Sequence, residues 1–136
     1  MKQTNHVSKE YMDDLTAMIL DEIYQTYFMY GPGLFERVYE ATLAGRIASY
    51  GTKVERQKQI FIKNEFVENE PAFYADLVVD DKVIIELKSV EQLTKLHHKQ
   101  LTTYLKLTGL QVGYLVNFNC RFLKENVKRL VHNYPY

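Results

Sequence analysis

Two short apolar runs, Val78-Val79 and Val83-Ile84-Ile85, flank Asp80-Asp81-Lys82, and this arrangement restricts the chain more than any other feature. The polar tripeptide is a turn former between segments of strand composition, so residues 72–79 and Val83–Lys88 read as a tight hairpin. Successive side chains of a strand project to opposite faces, and here both faces are apolar. Helices must cover the two sides, which predicts an α/β fold with a mixed central sheet flanked by helices.

Helical periodicity occurs where that cover requires it. From Ser8, a residue suited to cap a helix, Met12, Leu15, Ile19, Ile23 and Tyr27 recur every three or four positions until Gly31-Pro32-Gly33. Residues 34–50 then run without a breaker to Gly51. One apolar stripe passes through Leu34, Val38, Ala41 and Ala48, and another through Tyr39, Leu43, Ile47 and Tyr50, so this second helix should be largely buried. Glu36 lies in line with the second stripe and is expected to point inward or to a cleft rim.

Residues 53–63 suit an exposed or edge strand and 64–71 a loop. A third helix is expected over 91–108, closed by Gly109, with Leu93, Leu96, Leu101, Tyr104 and Leu107 at helical spacing. Val112–Asn117 reads as a buried strand joined to the hairpin by a helical crossover, hence parallel to it. A short final helix is expected over 124–132. The sequence shows no repeat, low-complexity tract or linker, which predicts one domain over 1–136 with its core at about 8–132.

Acidic and basic residues balance at 17 each, which argues against a protein that holds nucleic acid by bulk charge. The distribution is nevertheless uneven. Glu10, Asp13, Asp14, Asp21 and Glu22 make the first helix acidic, while Arg121, Lys124, Lys128 and Arg129 make the last segment basic. Cys120 is the only cysteine, so no intrachain disulfide and no two-cysteine zinc clamp can form. A reducing, cytoplasmic location fits. Residues 1–8 are polar, and no run reaches the roughly 18 apolar residues that cross a bilayer, so neither secretion nor a membrane partner is expected.

The hairpin also organises the chemistry. A three-residue turn centred on Asp81 sets Asp76 directly opposite Glu86, with both carboxylates on one face. Glu86 and Lys88 are two apart on a strand and project to the same side as Ile84. Burying two carboxylates together costs on the order of several kcal/mol unless positive charge separates them. A hard divalent cation supplies it: Mg²⁺, or Mn²⁺ in its place, takes oxygen ligands and retains waters. Asp76, Glu86 and the backbone carbonyl of Leu87 form such a set, leaving positions for a phosphate and a water. Lys88 would face that water, orient or help deprotonate it, and stabilise developing negative charge. A Glu-x-Lys strand alone is commonly a solvated ion pair; the apolar run before it and the Asp at hairpin distance distinguish this copy.

Further motifs extend the pattern. Gly33-Leu34-Phe35-Glu36-Arg37-Val38-Tyr39 fits Gly-x-x-Glu-x-x-Tyr, and Tyr74-Ala75-Asp76-Leu77 precedes Ile85-Glu86-Leu87-Lys88 and Gln100-Leu101-Thr102-Thr103-Tyr104. In this combined order, over about 8–132, the chain resembles the GxxExxY family of the PD-(D/E)XK nuclease superfamily. The resemblance implies a three-layer restriction-endonuclease-like αβββαβ core. It also implies a Mg²⁺-dependent phosphodiesterase site with Asp76 and Glu86 as ligands and Lys88 beside the water. Glu36 is then expected to reach the site and hold a second metal or orient water. The same resemblance puts Gln100 and Tyr104 at the cleft, where an amide and a phenol contact a phosphate.

From the residues alone, Gln100 and Tyr104 suit a helix packed on the sheet equally well. His97 shares the face of Gln100; it and His98 read as surface or partly buried histidines. Ala75 stands where the superfamily's name has Pro, a backbone preference rather than a ligand.

The expected function is hydrolysis of nucleic-acid phosphodiester bonds by metal-activated water, with DNA the first candidate partner. A catalytically weak or silent nuclease-like scaffold that binds nucleic acid or protein is the alternative, favoured by the zero net charge. Small-molecule hydrolysis with the same cation is a third reading. Arg56, Lys58, Lys63, Lys95 and Lys99 are the residues available to line a modest basic groove. No Gly-rich phosphate loop or Ser/His/Asp arrangement is present, and Cys120 reads as a buried apolar residue. Phe28, Met29 and Tyr30 are compatible with a homodimer.

Overall fold

The first helix begins where an exposed hydroxyl satisfies its orphan amides. Ser8 Oγ accepts from Tyr11 N–H at 3.0 Å, and α1 runs over Lys9–Tyr30. Met12, Leu15, Ile19 and Ile23 form its buried face. The computed structural model describes residues 7–136; residues 1–6, part of the polar stretch noted above, lie outside the described residues.

Gly31 ends α1 at φ +65°, and Gly33 at φ +107° turns the chain into α2, Glu36–Ala48. This helix is shorter at both ends than the periodicity suggested. Its N-cap position is Phe35, whose side chain makes no capping bond, so the entry is held from elsewhere. The fully buried Tyr39 donates its hydroxyl to Gly31 O at 2.6 Å and accepts from Leu34 N–H at 3.2 Å, while its ring stacks on Phe118. The Gly-x-x-Glu-x-x-Tyr spacing thereby has a local cause: the Tyr ties down the turn that aims the Glu.

Five strands follow in the spatial order β1-β2-β3-β4-β5: Val54–Ile62, Glu70–Val79, Val83–Lys88, Val112–Asn117 and Val127–Val131. Neighbours are antiparallel except β3 and β4, which α3 (Lys95–Thr108) joins as a parallel crossover. The hairpin register is Val79↔Val83, with Asp80 and Asp81 both at φ +53°. Leu77, Val79, Val83, Ile85 and Leu87 pack with α1 and α2 on one face. Ala75, Val78 and Ile84 pack with Leu101 and Leu105 of α3 on the other. The result is a three-layer α/β/α sandwich.

Two elements differ from expectation. α3 starts at Lys95 rather than 91, because Thr94 and His97 form a reciprocal cap, Thr94 Oγ1 accepting from His97 N–H and His97 Nδ1 from Thr94 N–H. Val90, in the preceding segment, is bonded through its N–H and carbonyl to the buried amide of Asn117. The final helix expected at 124–132 is instead a single 3-10 turn, Leu123–Asn126, followed by β5. The open edge of β4 decides this: its backbone groups need partners, and Val127–Val131 supplies them with Leu130 turned inward.

Phe28, Met29 and Tyr30 are all exposed near the end of α1. Among the described residues, no helix is long and apolar enough to cross a membrane.

Gly113 of β4 sits under Leu101, whose Cδ1 lies 3.1 Å from the position a Cβ would take. Leu101 is fully buried and has little room to retreat. Gly113→Ala is therefore expected to destabilise the protein by about 1–2 kcal/mol in urea unfolding, and to cost much less in a Leu101→Ala background.

Candidate metal centre

The paired strands β2 and β3 part company after Leu77↔Ile85, where main-chain pairing gives way to side chains. Asp76 N–H donates to Glu86 Oε1 at 3.2 Å, and Leu87 N–H donates to Asp76 Oδ2 at 2.8 Å. Each acid thus satisfies a backbone amide of the opposite strand. The hairpin register brings the two acids together as expected, but in a fork between strands rather than across one regular face.

Two features of the backbone produce this fork. Ala75 packs toward α3 whereas Leu77 packs toward α1 and α2, so the alternation of β2 shifts by one face at Asp76. Opposite it on β1, Gln57 is left-handed at φ +48° and drops out of the β1–β2 ladder between Arg56↔Leu77 and Lys58↔Ala75. Its amide donates to both Glu40 and Asp76 Oδ1, the latter at 3.1 Å. Glu40, buried on α2, also accepts from Arg56.

Glu86 is 4% exposed. Burial, then the neighbouring Asp76 charge, push its carboxyl up to about 9, with Lys88 opposing the rise. Lys88 O accepts from Phe118 N–H on the β4 side, so the main-chain groups of Leu87 face β2 and the fork. The two acids thus lie together beside the main chain of Leu87, and oxygen donors of this kind suit a hard divalent cation. Among the described residues, no cluster of three or more His, Cys, Asp or Glu converges, so a cation held here would keep several waters.

A cleft of about 690 Å³ opens on one side of the fork, lined by Glu36, Glu40, Arg56, Gln57, Asp76, Leu87 and Ser89 among others. Glu36 lies at its rim, as its stripe suggested, and accepts from Ser89 N–H at 3.0 Å. A separate recess on the α3 side holds Lys88, His97, Gln100 and Tyr104. There Lys88 Nζ lies 3.4 Å from Gln100 Oε1. Tyr104 stacks on Phe73, and burial followed by the charges of Glu86 and Asp76 raises its hydroxyl pKa.

Asp76, Glu86 and Leu87 thus meet directly, and Glu36 shares the cleft of Asp76. Lys88, Gln100 and Tyr104 gather on the far side of the same strand. His97 is engaged in the helix cap, and His98 is exposed.

The expected basic groove is not assembled. Arg56 is committed to Glu40, Lys58 to Glu55 and Asp81, and Lys63 lies 3.6 Å from Glu68, while Lys99 lies in the α3 recess. Glu40, Gln57 and Ser89 were missed as site residues. Glu40 had a readable signal, since it lies one turn after Glu36 and next to Tyr39 of the apolar stripe; Gln57 and Ser89 had none.

A three-layer sandwich with an Asp–Glu fork and a following Lys on its inner strand defines the restriction-endonuclease-like class. The family model described as the PD-(D/E)XK nuclease superfamily matches residues 13–130, and the chain belongs to that superfamily. No curated protein and no solved structure matches it.

Glu86 contributes a fall in stability of the cation-free protein as pH rises. Its folded pKa of about 9 exceeds the ordinary value of 4.5, so its contribution to stability is fully present below about 4.5 and is lost as pH rises toward 9. Thermal melts in chelator should fall across that window, while Glu86→Gln should melt several degrees higher at about pH 8 and lack this component. At the fork, Gln57→Gly should be more stable than Gln57→Ala by roughly 1 kcal/mol in urea, because glycine accepts the left-handed backbone without strain.

Proposed function

We propose that this protein is a divalent-metal-dependent nuclease of the GxxExxY branch of its superfamily, using Mg²⁺ or Mn²⁺ to hydrolyse phosphodiester bonds, with DNA the first substrate to test. The observation that carries the reading is the reciprocal bonding of Asp76 and Glu86 in the fork, with Glu86 buried and its ionisation suppressed. Neutral amide side chains could accept from the same two backbone amides, whereas two carboxylates repel each other when ionised, and a cation would relieve that repulsion.

In this reading Asp76, Glu86 and the Leu87 carbonyl would hold the cation, which when bound would acidify a water and offset charge on the phosphate. Lys88 orients the attacking water and stabilises negative charge as the new P–O bond forms and the P–O bond to the leaving oxygen breaks, the proton lost by the water being returned through solvent to that oxygen. Gln100, within 3.4 Å of Lys88 Nζ, restrains that ammonium, and the Tyr104 hydroxyl stays protonated as a donor toward the phosphate side. Glu36 orients a water, or holds a second cation, from the opposite wall of the cleft. Its position on the first turn of α2, fixed by Tyr39, supports the GxxExxY assignment.

The test is cleavage of plasmid, linear duplex, single strand and RNA by the purified chain with Mg²⁺ or Mn²⁺. Lys88→Ala and Asp76→Asn should each lower the rate by about a hundredfold or more. A Mn²⁺-dependent rise in melting temperature should vanish in Asp76→Asn and survive in Lys88→Ala. Activity that persists undiminished in Lys88→Ala would overturn the assignment, and cation binding without cleavage of any substrate would leave the scaffold reading.

A further inference from the structure

We propose that the nucleic acid entering this cleft carries unpaired bases, one of which stacks on Phe35 at the rim while an adjacent phosphate descends toward Asp76. The proposal rests on the nuclease reading and adds a substrate class to it. Phe35 lines the same cleft as Asp76 and Glu36, yet is 82% exposed. Among the described residues it has no aromatic stacking partner, unlike Tyr39 on Phe118 or Phe73 on Tyr104.

The backbone that carries Phe35 is held on both sides. Leu34 N–H donates to the Tyr39 hydroxyl at 3.2 Å, Ser89 Oγ donates to Leu34 O at 2.9 Å, and Phe35 O accepts from Val38 N–H at 3.0 Å. An aromatic ring carried on an anchored backbone and presented to solvent beside a recessed polar site leaves only its own rotamers to be ordered on binding.

Charge points to the same class. The cleft brings together the acids Glu36, Glu40 and Asp76 with only Arg37 and Arg56 as cations, and Arg56 is already paired with Glu40. Duplex binding draws on phosphate neutralisation by many cations, which this wall does not offer. Stacking on an aromatic ring depends little on charge, but it requires an open π-face, and a duplex buries the faces of its bases within the stack. A duplex presents a base to Phe35 only after unstacking and unpairing it, a cost that single strands, frayed ends, flaps and loops largely escape. Arg37, exposed and without an ion pair among the described residues, is placed beside Phe35 to meet a flanking phosphate.

The experiment measures fluorescence anisotropy of a labelled oligothymidine and of a labelled duplex of equal length, bound to the full chain with Ca²⁺ in place of Mg²⁺. Phe35→Ala should weaken oligothymidine binding by about tenfold, Phe35→Trp should restore it, and duplex binding should change little with either. Equal losses on both nucleic acids, or no loss on oligothymidine, would overturn the proposal. A concentration-dependent dimer of the wild type that Phe35→Ala abolishes, with oligothymidine binding unchanged, would also overturn it and assign the ring to a second copy of the chain. Cleavage in Mn²⁺ is read separately: stacking without cleavage on any substrate defeats the nuclease reading, and cleavage indifferent to Phe35 defeats this one.

Discussion

Where β2 and β3 diverge, two backbone amides lose their ladder partners, and the carboxylates of Asp76 and Glu86 accept from them instead. A buried N–H without an acceptor costs on the order of 1–3 kcal/mol, so the fork can exist only if side chains of suitable length stand at these positions. The acids are consequently part of the fold before they are part of any chemistry. Burial, and after it the charge of Asp76, suppress ionisation of Glu86, so a cation seated in the fork would take the place of that proton. Lys88 follows on the same strand, and its distance from the pair is set by strand geometry rather than by a loop.

The helix α2 supplies the other wall, and its placement rests on specific polar contacts rather than on intrinsic propensity. Arg46 and Tyr50 both reach the buried Glu22 of α1, while Glu40 receives Arg56 and Gln57 from β1. These pairs are buried only on the carboxylate side, both arginines being partly exposed, and ion pairs add less to stability than apolar packing of equal volume. They do fix rotation about the helix axis, because a turn of the helix in either direction would strand a carboxylate. Glu36 is thereby held on the cleft side, and its bond to Ser89 N–H joins α2 to the chain just beyond Lys88.

Signals that act over a few residues were legible in the sequence. The Asp80-Asp81-Lys82 turn, the Ser8 cap, the Gly31-Pro32-Gly33 break and the apolar periodicity of α1 all act locally, and the crossover between β3 and β4 follows. α3 was legible as a helix but not by its stripe, since Leu96 and Leu107 are exposed and Leu101 and Leu105 form its buried face. Strand β5 was not legible, because Leu123, Val127 and Leu130 have helix-like spacing and the force that extends the segment is the open edge of β4, distant in sequence. The proximity of Asp76 and Glu86 could be read from register, whereas the left-handed Gln57 could not: glutamine has no preference for that conformation, and only the opposed kink at Asp76 demands it. The basic groove failed for a related reason, since charges close in space found local partners.

The departure of Gln57 from regular strand geometry also bears on colloidal behaviour. β1 is an outermost strand, and such a strand offers unpaired amides and carbonyls to any passing chain. Its run is interrupted twice, by the positive φ of Gln57 and by the register shift between Ile60 and Phe61, with Arg56 and Lys58 placed around the first break. An incoming strand would lose alignment within a few residues and meet charge where it sought apolar contact. The irregularity that opens the fork thus also guards the sheet against edge-to-edge aggregation.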